Sequence, residues 1–477
     1  MLPQIQLVIP ELVLLCLASI ALVLDTYSTS KNKVLTFRFV QISLLIVIAL
    51  IFVVSPDTQE YAFNNHFISD PMSVVLKLVI CIISLVVFFY SYEYLKEHEN
   101  VKGEYFVLGL FAVLGMMIMS SAASLLTIYL GLELLSLSLY SMIAMHKDSL
   151  TASEAAMKYF VLGALASGML LYGISMLYGV TGVLDLQGIS SFANAGVDAD
   201  MNIMLVFGLV FIVVGIAFKL GAVPFHMWVP DIYEGSPTAV TLFISTAPKI
   251  AAFAMTIRLL SDGLQDLLSD WQGMLIILSL LSMAVGNIIA ISQTNIKRML
   301  AYSTIAHVGF FLLGIISGTA SGYAGSMFYI IVYAIMSMGS FGMIIFLGKK
   351  GYEADQLDDF KGLAKRSPWY AFIMLILMFS MAGIPPLIGF WAKWFVIKEV
   401  VAMGYVWLAA VAVVFSVIGA FYYLRIIKLM YFDEPDEMLA IKASRELRLV
   451  LSVNGMVILI LGFIPGALMA LCLSALS

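Results

Sequence analysis

Residues 215–237 read GIAFKLGAVPFHMWVPDIYEGSP. Apolar residues lead into this stretch as they would in a membrane helix, yet Lys219 is followed by Gly221 and then by Pro224. A charge near the centre of a membrane helix costs roughly 2.5–3.5 kcal/mol. A proline removes a backbone donor and clashes with the carbonyl four residues back. The two together indicate a helix broken close to mid-membrane, and the backbone groups freed by a break are tolerable only against protein or water. The stretch therefore predicts a hydrated, protein-lined cavity with a lysine beside it.

The rest of the chain fits a membrane setting. Of 477 residues, 62% are hydrophobic and only 12% charged, which points to an all-α polytopic membrane protein rather than a string of soluble domains. The net charge of −5 is spread over short loops and implies no nucleic-acid partner. The first residues, MLPQIQLVIPELVLLCLASIALVLD, lack a basic leader and a small-residue cleavage site, so they read as a retained first span. Cys16, Cys81 and Cys472 lie far apart in apolar segments, without the spacing of a metal, cluster or redox site, and read as packing residues.

Runs able to cross about 30 Å of hydrocarbon fall at 6–25, 35–54, 71–94, 104–121, 123–145, 154–179, 203–235, 237–261, 272–292, 297–317, 323–348, 368–402, 405–431 and 446–472. These are about fourteen transmembrane helices. The seventh and twelfth are too long and carry Gly and Pro near their middles, so each is expected to be two half-helices. An even count puts both termini on one side. With the termini outside, the inner loops carry Lys31, Lys33, Arg38, Lys96, Lys102, Lys147, Lys297, Arg298, Lys349, Lys350, Lys361, Lys365, Arg366, Lys442 and Arg445, while SPDTQEYAFNNHFISD and LQGISSFANAGVDADMN outside carry no Lys or Arg. This predicts a bacterial cytoplasmic (inner) membrane protein with both termini on the periplasmic side.

The second broken span repeats the first. In GAVPFHMW, Gly221 stands three residues before Pro224; in GIPPLIGFW, Gly383 stands three before Pro386, with Pro385 between them. Each break is fourth in a block of five spans, 104–261 (spans 4–8) and 272–432 (spans 9–13). Five is odd, so the blocks are expected to be inverted repeats, an arrangement ion transporters use around a mid-membrane site. A three-helix segment, 1–103, precedes them and a last span, 446–477, follows. Lys219 precedes its break and Lys393 follows its own, so in oppositely directed helices both fall on the outer side of the interruption.

Within spans the ionisable residues are Lys77, Glu133, Lys219, Lys249, Arg258, His307, Lys393 and Lys398. Arg258 and Lys398 lie about a turn from an outer helix end and are expected to snorkel, as is Lys77 two turns in. The others are deeper. Thr238, Thr241, Ser245, Lys249 and Thr256 share one helical face, Ser303 and His307 are four apart, and Tyr329, Tyr333, Ser337 and Ser340 align on the eleventh span. Such polar rows, bridged by water, hand a proton along. Burial lowers a lysine from about 10.4 toward neutrality and a nearby carboxylate raises it again. A static Lys–Glu pair locking two helices is the alternative for any one lysine, but three deep lysines and a histidine outnumber the single deep glutamate.

The segments LGLELLSLSLY (Glu133), EAAMKYF (Glu154, Lys158), GIAFKLGAVPFHMWVPDIYEGSP (Lys219), STAPKIA (Lys249), ISQTNIKRMLAYSTIAHVG (His307) and SMAGIPPLIGFWAKW (Lys393) closely resemble the antiporter-like membrane subunits of the proton-pumping NADH:quinone oxidoreductase, respiratory complex I, over nearly the whole chain. The resemblance implies that Glu133 and Lys219 form a charge pair, linked through Lys249 and His307 to Lys393. It also implies a non-redox, proton-translocating subunit driven by quinone reduction elsewhere in the enzyme. Without a dinucleotide fingerprint or cluster-binding cysteines, this chain is expected to bind no cofactor or metal, leaving NADH, FMN, iron–sulfur clusters and quinone to partner subunits. The implied partners are other membrane-arm subunits, antiporter-like ones among them, and lipid. Glu154 either backs up Glu133 or caps a helix start beside Lys158. One subunit type of the family usually has a glutamate where Lys393 stands, and another carries a long lateral helix after span 14, whereas this sequence stops at Ser477; both differences favour the remaining type. Subunits of multi-subunit cation/proton antiporters share these motifs and are the alternative, without redox activity.

Overall fold

A computed structural model describes residues 2–56, 58–98, 101–194, 199–434, 441 and 443–476; Lys442 and part of the loop around 195–198 lie outside them. Apart from one short hairpin the described chain is helical. Thirteen of its helices are long and apolar enough to cross a membrane. The broken twelfth span, Pro368–Ala382 and Ile388–Ala402, supplies one more crossing. The eighth, tenth and eleventh spans are almost wholly buried and form the centre. Peripheral helices turn apolar faces outward, for example Leu130 and Leu137 on the fifth span and Val417 and Phe421 on the thirteenth.

Between lipid-embedded helices there is little hydrophobic driving force, so close backbone packing must hold them, and small residues permit it. The fourth span, Gly103–Ser120, meets the fifth, Leu125–Ala144, where a methyl on Gly115 would lie 2.7 Å from Leu135 N and one on Gly131 would lie 2.9 Å from Gly115 O. The ninth, Leu268–Ser292, meets the tenth, Ile296–Ile316, in the same way: Gly286 abuts Tyr302 O at 2.8 Å and Gly309 abuts Ser279 O at 2.7 Å, measured from the same added methyl. Gly115→Val is expected to cost about 1–3 kcal/mol through forced separation. A thermal melt of the purified protein reads this, and an unchanged midpoint would show the contact to be unimportant.

The hairpin pairs Glu60–Ala62 with Phe67–Ser69 through a left-handed turn at Phe63, Asn64 and Asn65. It is stitched to the junction of spans 4 and 5 by Ile68 N–H donating to Ser121 O (2.9 Å) and Ala123 N–H to His66 O (3.2 Å). It lies at the end of the molecule opposite the basic loops.

Two spans expected to be continuous are interrupted. The eighth is Thr238–Ile244 and Ala247–Ile257, parted at Ser245 and Thr246, because Pro248 offers no N–H and its ring would strike the carbonyl four residues earlier. The fourteenth breaks at Ile464, just before Pro465. The snorkelling expectation also fails twice. Arg258 is buried, donating Nη2 to Asp70 Oδ1 (2.7 Å), Nη1 to Asp262 Oδ2 (2.8 Å), and Nε to Ser120 O (3.2 Å). Burial alone would raise the Asp70 carboxyl, but the charge and hydrogen bonds of Arg258 hold it below its usual value. Lys77 is buried too, with Nζ 2.5 Å from Glu11 Oε1; Glu11 is a second membrane-embedded acid that the sequence reading left out. Lys297, placed in an inner loop, is only 4% exposed. Lys398 stays half exposed beside Glu399.

Candidate proton path

Each broken span ends in a glycine with left-handed backbone. Gly221 has φ +81° and Gly383 φ +84°, a region other residues adopt only with strain. Gly221 and Ala222 N–H both donate to Ala217 O; Gly383 and Ile384 N–H both donate to Phe379 O. The two terminations thus match, and each is followed by a cis proline bond, Val223–Pro224 or Pro385–Pro386. Beyond the turns, Val223 N–H donates to Ser282 Oγ (2.9 Å) and Gly389 N–H to Ser380 Oγ (3.1 Å), so side chains satisfy backbone that the breaks release.

The released carbonyls are taken by lysines. Lys249 Nζ donates to Leu220 O at 2.8 Å, and Lys393 Nζ to Ala382 O at 2.9 Å. Each carbonyl belongs to the residue before the left-handed glycine. Lys393 also donates to Ser416 Oγ (2.9 Å) and lies 4.9 Å from the Phe310 ring centre. Lys249 lies 5.1 Å over Trp228, whose indole N–H is fixed on Phe218 O (2.9 Å).

Lys219 Nζ donates to Ser136 Oγ at 2.9 Å. Glu133, one turn earlier on that helix, accepts from the Ser167 hydroxyl of the sixth span, Leu150–Thr181. Among the described residues the two charges do not touch. A cavity of about 20 Å³ lined by Ser136, Tyr140, Ser167 and Lys219 lies at their meeting point, and that is room for one water.

His307 bears a hydroxyl on each ring nitrogen: Tyr329 OH is 2.6 Å from Nδ1 and Tyr423 OH 3.0 Å from Nε2. Tyr423 OH continues to Ser303 Oγ (2.5 Å), and Tyr333 OH meets Thr304 Oγ1 (2.6 Å). A neutral imidazole donates through one nitrogen and accepts through the other, so this chain of hydroxyls is polarised in either sense. Tyr423, bonded to the histidine, and Ser416, bonded to Lys393, stand two turns apart on the thirteenth span, Val406–Tyr431.

The eighth span's interruption divides the polar row expected there, and at the break Ser337 Oγ donates to Ser245 Oγ (3.0 Å). Glu154 stands apart. It pairs with Lys158 at 2.9 Å in an exposed network that includes Asp231, Arg298 and Glu234. The helix start there is capped by Ser149, and Ser167 is thirteen residues, about 20 Å, farther along the helix. Ser136, Ser167, Ser416 and Tyr423 escaped the sequence reading. Only Tyr423 and Ser416, polar residues seven apart in an apolar span, carried a legible signal. No three His, Cys, Asp or Glu side chains converge as a metal set among the described residues.

Buried lysines thus stand at both breaks, Lys219 and Lys249 at the first and Lys393 at the second, beside a hydroxyl-lined interior. A family model described as "NADH:quinone oxidoreductase/Mrp antiporter, TM" matches residues 122–419, and one described as "NADH-Ubiquinone oxidoreductase (complex I), chain 5 N-terminus" matches residues 56–106. The chain belongs to the NADH-quinone oxidoreductase subunit N family: it is 56% identical to the protein of that name from Thioalkalivibrio sulfidiphilus, over 100% of this chain and 99% of that one. A chain of respiratory complex I from Thermus thermophilus superposes with a TM-score of 0.83 at 29% identity, covering 98% of this chain and 100% of that one. A chain of the Mrp complex from Dietzia sp. reaches the same TM-score at 22% identity over 99% and 97% of the two chains, a likeness of fold alone.

Proposed function

We propose that the chain is a proton-translocating subunit of NADH-quinone oxidoreductase that carries protons along Glu133, Lys219, Lys249, His307 and Lys393 while electron transfer from NADH to quinone proceeds in partner subunits. One observation carries the reading. Lys219, Lys249 and Lys393 are buried, yet their ammonium groups rest on neutral oxygens, Ser136 Oγ, Leu220 O, Ala382 O and Ser416 Oγ. Lys77, by contrast, is paired with the Glu11 carboxylate; among the described residues no carboxylate touches the other three, which sit beside the breaks.

The matching breaks and glycine-packed helix pairs support two inverted five-helix blocks, 104–261 and 272–432, between a three-helix segment and a last span. The basic loops are assigned to the cytoplasmic side of a bacterial inner membrane. NADH, FMN, clusters and quinone are assigned to partner subunits, with other membrane-arm subunits as neighbours. The cation/proton antiporter reading has less support, resting on a family model that names both kinds of protein and on the distant fold likeness.

Glu133→Ala and His307→Ala are expected to lower coupled NADH:quinone turnover about 10²-fold, the lower end for loss of a proton-transfer group, with NADH oxidation by an artificial acceptor unchanged. Full coupled turnover in both variants would rule the path out.

A further inference from the structure

At the end that carries the basic loops, the segment after the eleventh span sets Glu353 against the foot of the eighth. Thr238 Oγ1 donates to Glu353 Oε2 at 2.6 Å, Tyr94 OH donates to Oε1, and His98 Nε2 lies 3.9 Å away. The Glu353 side chain is 33% exposed, whereas Thr238 is wholly buried. One carboxylate therefore touches both water and the first hydroxyl of the interior.

Above Thr238 stand Thr241 and Ser245, three and four residues on. Such neighbours are about 5–6 Å apart at Cβ, a gap one water bridges. The helix interruption at Ser245 and Thr246 falls directly before Lys249. Around the foot, Ser236 Oγ and Tyr90 OH are buried without a partner in the chain, and hydroxyls in that position are ordinarily satisfied by water. A cavity of about 340 Å³ bordered by Glu93, Tyr94, Lys96, Glu97, His98 and Ser444 opens next to Tyr94 and His98, two of the groups around the carboxylate. The charged and titratable groups facing Glu353 are His98, His146 and Lys297, whose Nζ sits on Ser236 O at 3.0 Å.

We propose that Glu353 is the proton-collecting group of this end, taking protons from water and loading Lys249 through Thr238, Thr241 and Ser245. The inference rests on the reading of the buried lysines as proton carriers. Hydronium gives a proton to the carboxylate and becomes water. The carboxyl passes it to Thr238 Oγ1 as the hydroxyl releases its own proton inward, and the neutral amine of Lys249 accepts the proton that emerges. Only O–H and N–H bonds are exchanged, and one charge moves.

The test compares Glu353→Ala, the shape-preserving Glu353→Gln, Glu353→Asp and Lys249→Ala in the detergent-solubilised complex, with artificial-acceptor NADH oxidation as the measure of assembly. Ala and Gln are expected to slow quinone-coupled turnover about 10²-fold, Asp to keep most of it, and a small weak acid such as formate to restore most of the rate to the Ala variant. Rescue is the decisive readout, since a carboxylate that merely anchors the loop is not replaced by a diffusing acid. A parental rate in both Ala and Gln, or a slow Ala variant that formate leaves slow, overturns the proposal. If Lys249→Ala is slow in those same assays, only the role of Glu353 falls; if Lys249→Ala is also at the parental rate, the lysine reading falls with it.

Discussion

Lys219→Met in the assembled complex is expected to cut quinone-coupled turnover by about 10²-fold, the scale of removing a positioned proton-transfer group, while artificial-acceptor NADH oxidation keeps its rate. Methionine fills the volume of the lysine stem, and the hydroxyl left behind, Ser136 Oγ, is neutral and belongs to a helix already held by the Gly115 and Gly131 contact. The loss therefore reports transport rather than collapse of the site. Lys219→Arg sharpens the result. A guanidinium remains charged at every attainable pH, so it holds a proton without releasing it and is expected to be as slow as methionine. An arginine variant at the parental rate would show that only a fixed positive charge is needed, and the relay would be abandoned.

The largest effect on stability is expected at Lys77→Met, which strands the Glu11 carboxylate in the interior. Breaking one side of a buried pair costs about 3–5 kcal/mol, and here both side chains are only 4% exposed. The double variant Lys77→Met/Glu11→Leu replaces both charges with apolar groups and is expected to recover most of the loss, since two apolar side chains suit the site about as well as the pair. Thermal midpoints of the parental, single and double forms measure this. Equal midpoints for the single and double variants would mean that Glu11 is not stranded and that the pair contributes little. Lys77 has a carboxylate for its partner and Lys219 a hydroxyl, so on the proposed path the first would hold helices together and the second exchange a proton.

The spans and both principal breaks were legible because their signals are local. A run of apolar residues declares a crossing, and Gly221 with Pro224, or Gly383 with Pro386, declares its interruption. Pro248 carried the same local signal for the eighth span, yet the polar stripe from Thr238 to Thr256 reads as one continuous face and masked it. Partners were less legible. The sequence marks Lys77 and Arg258 as charges near helix ends but does not say that Glu11, 66 positions earlier, or Asp70, on another span, faces them. Glu133 and Lys219, expected as a pair, each hold a serine, Ser167 and Ser136 respectively. Serines are common enough in membrane helices that only the packing of the fifth, sixth and seventh spans distinguishes these two.

The carbonyls of Leu220 and Ala382, each holding a lysine at the mouth of a break, have a consequence for proton exchange. A carbonyl oxygen has two lone pairs, so an ammonium that takes one leaves the other for a water molecule. On the proposed path the same oxygen steadies the charged lysine and seats the water that receives or returns its proton, which would fix the point of exchange at the break itself.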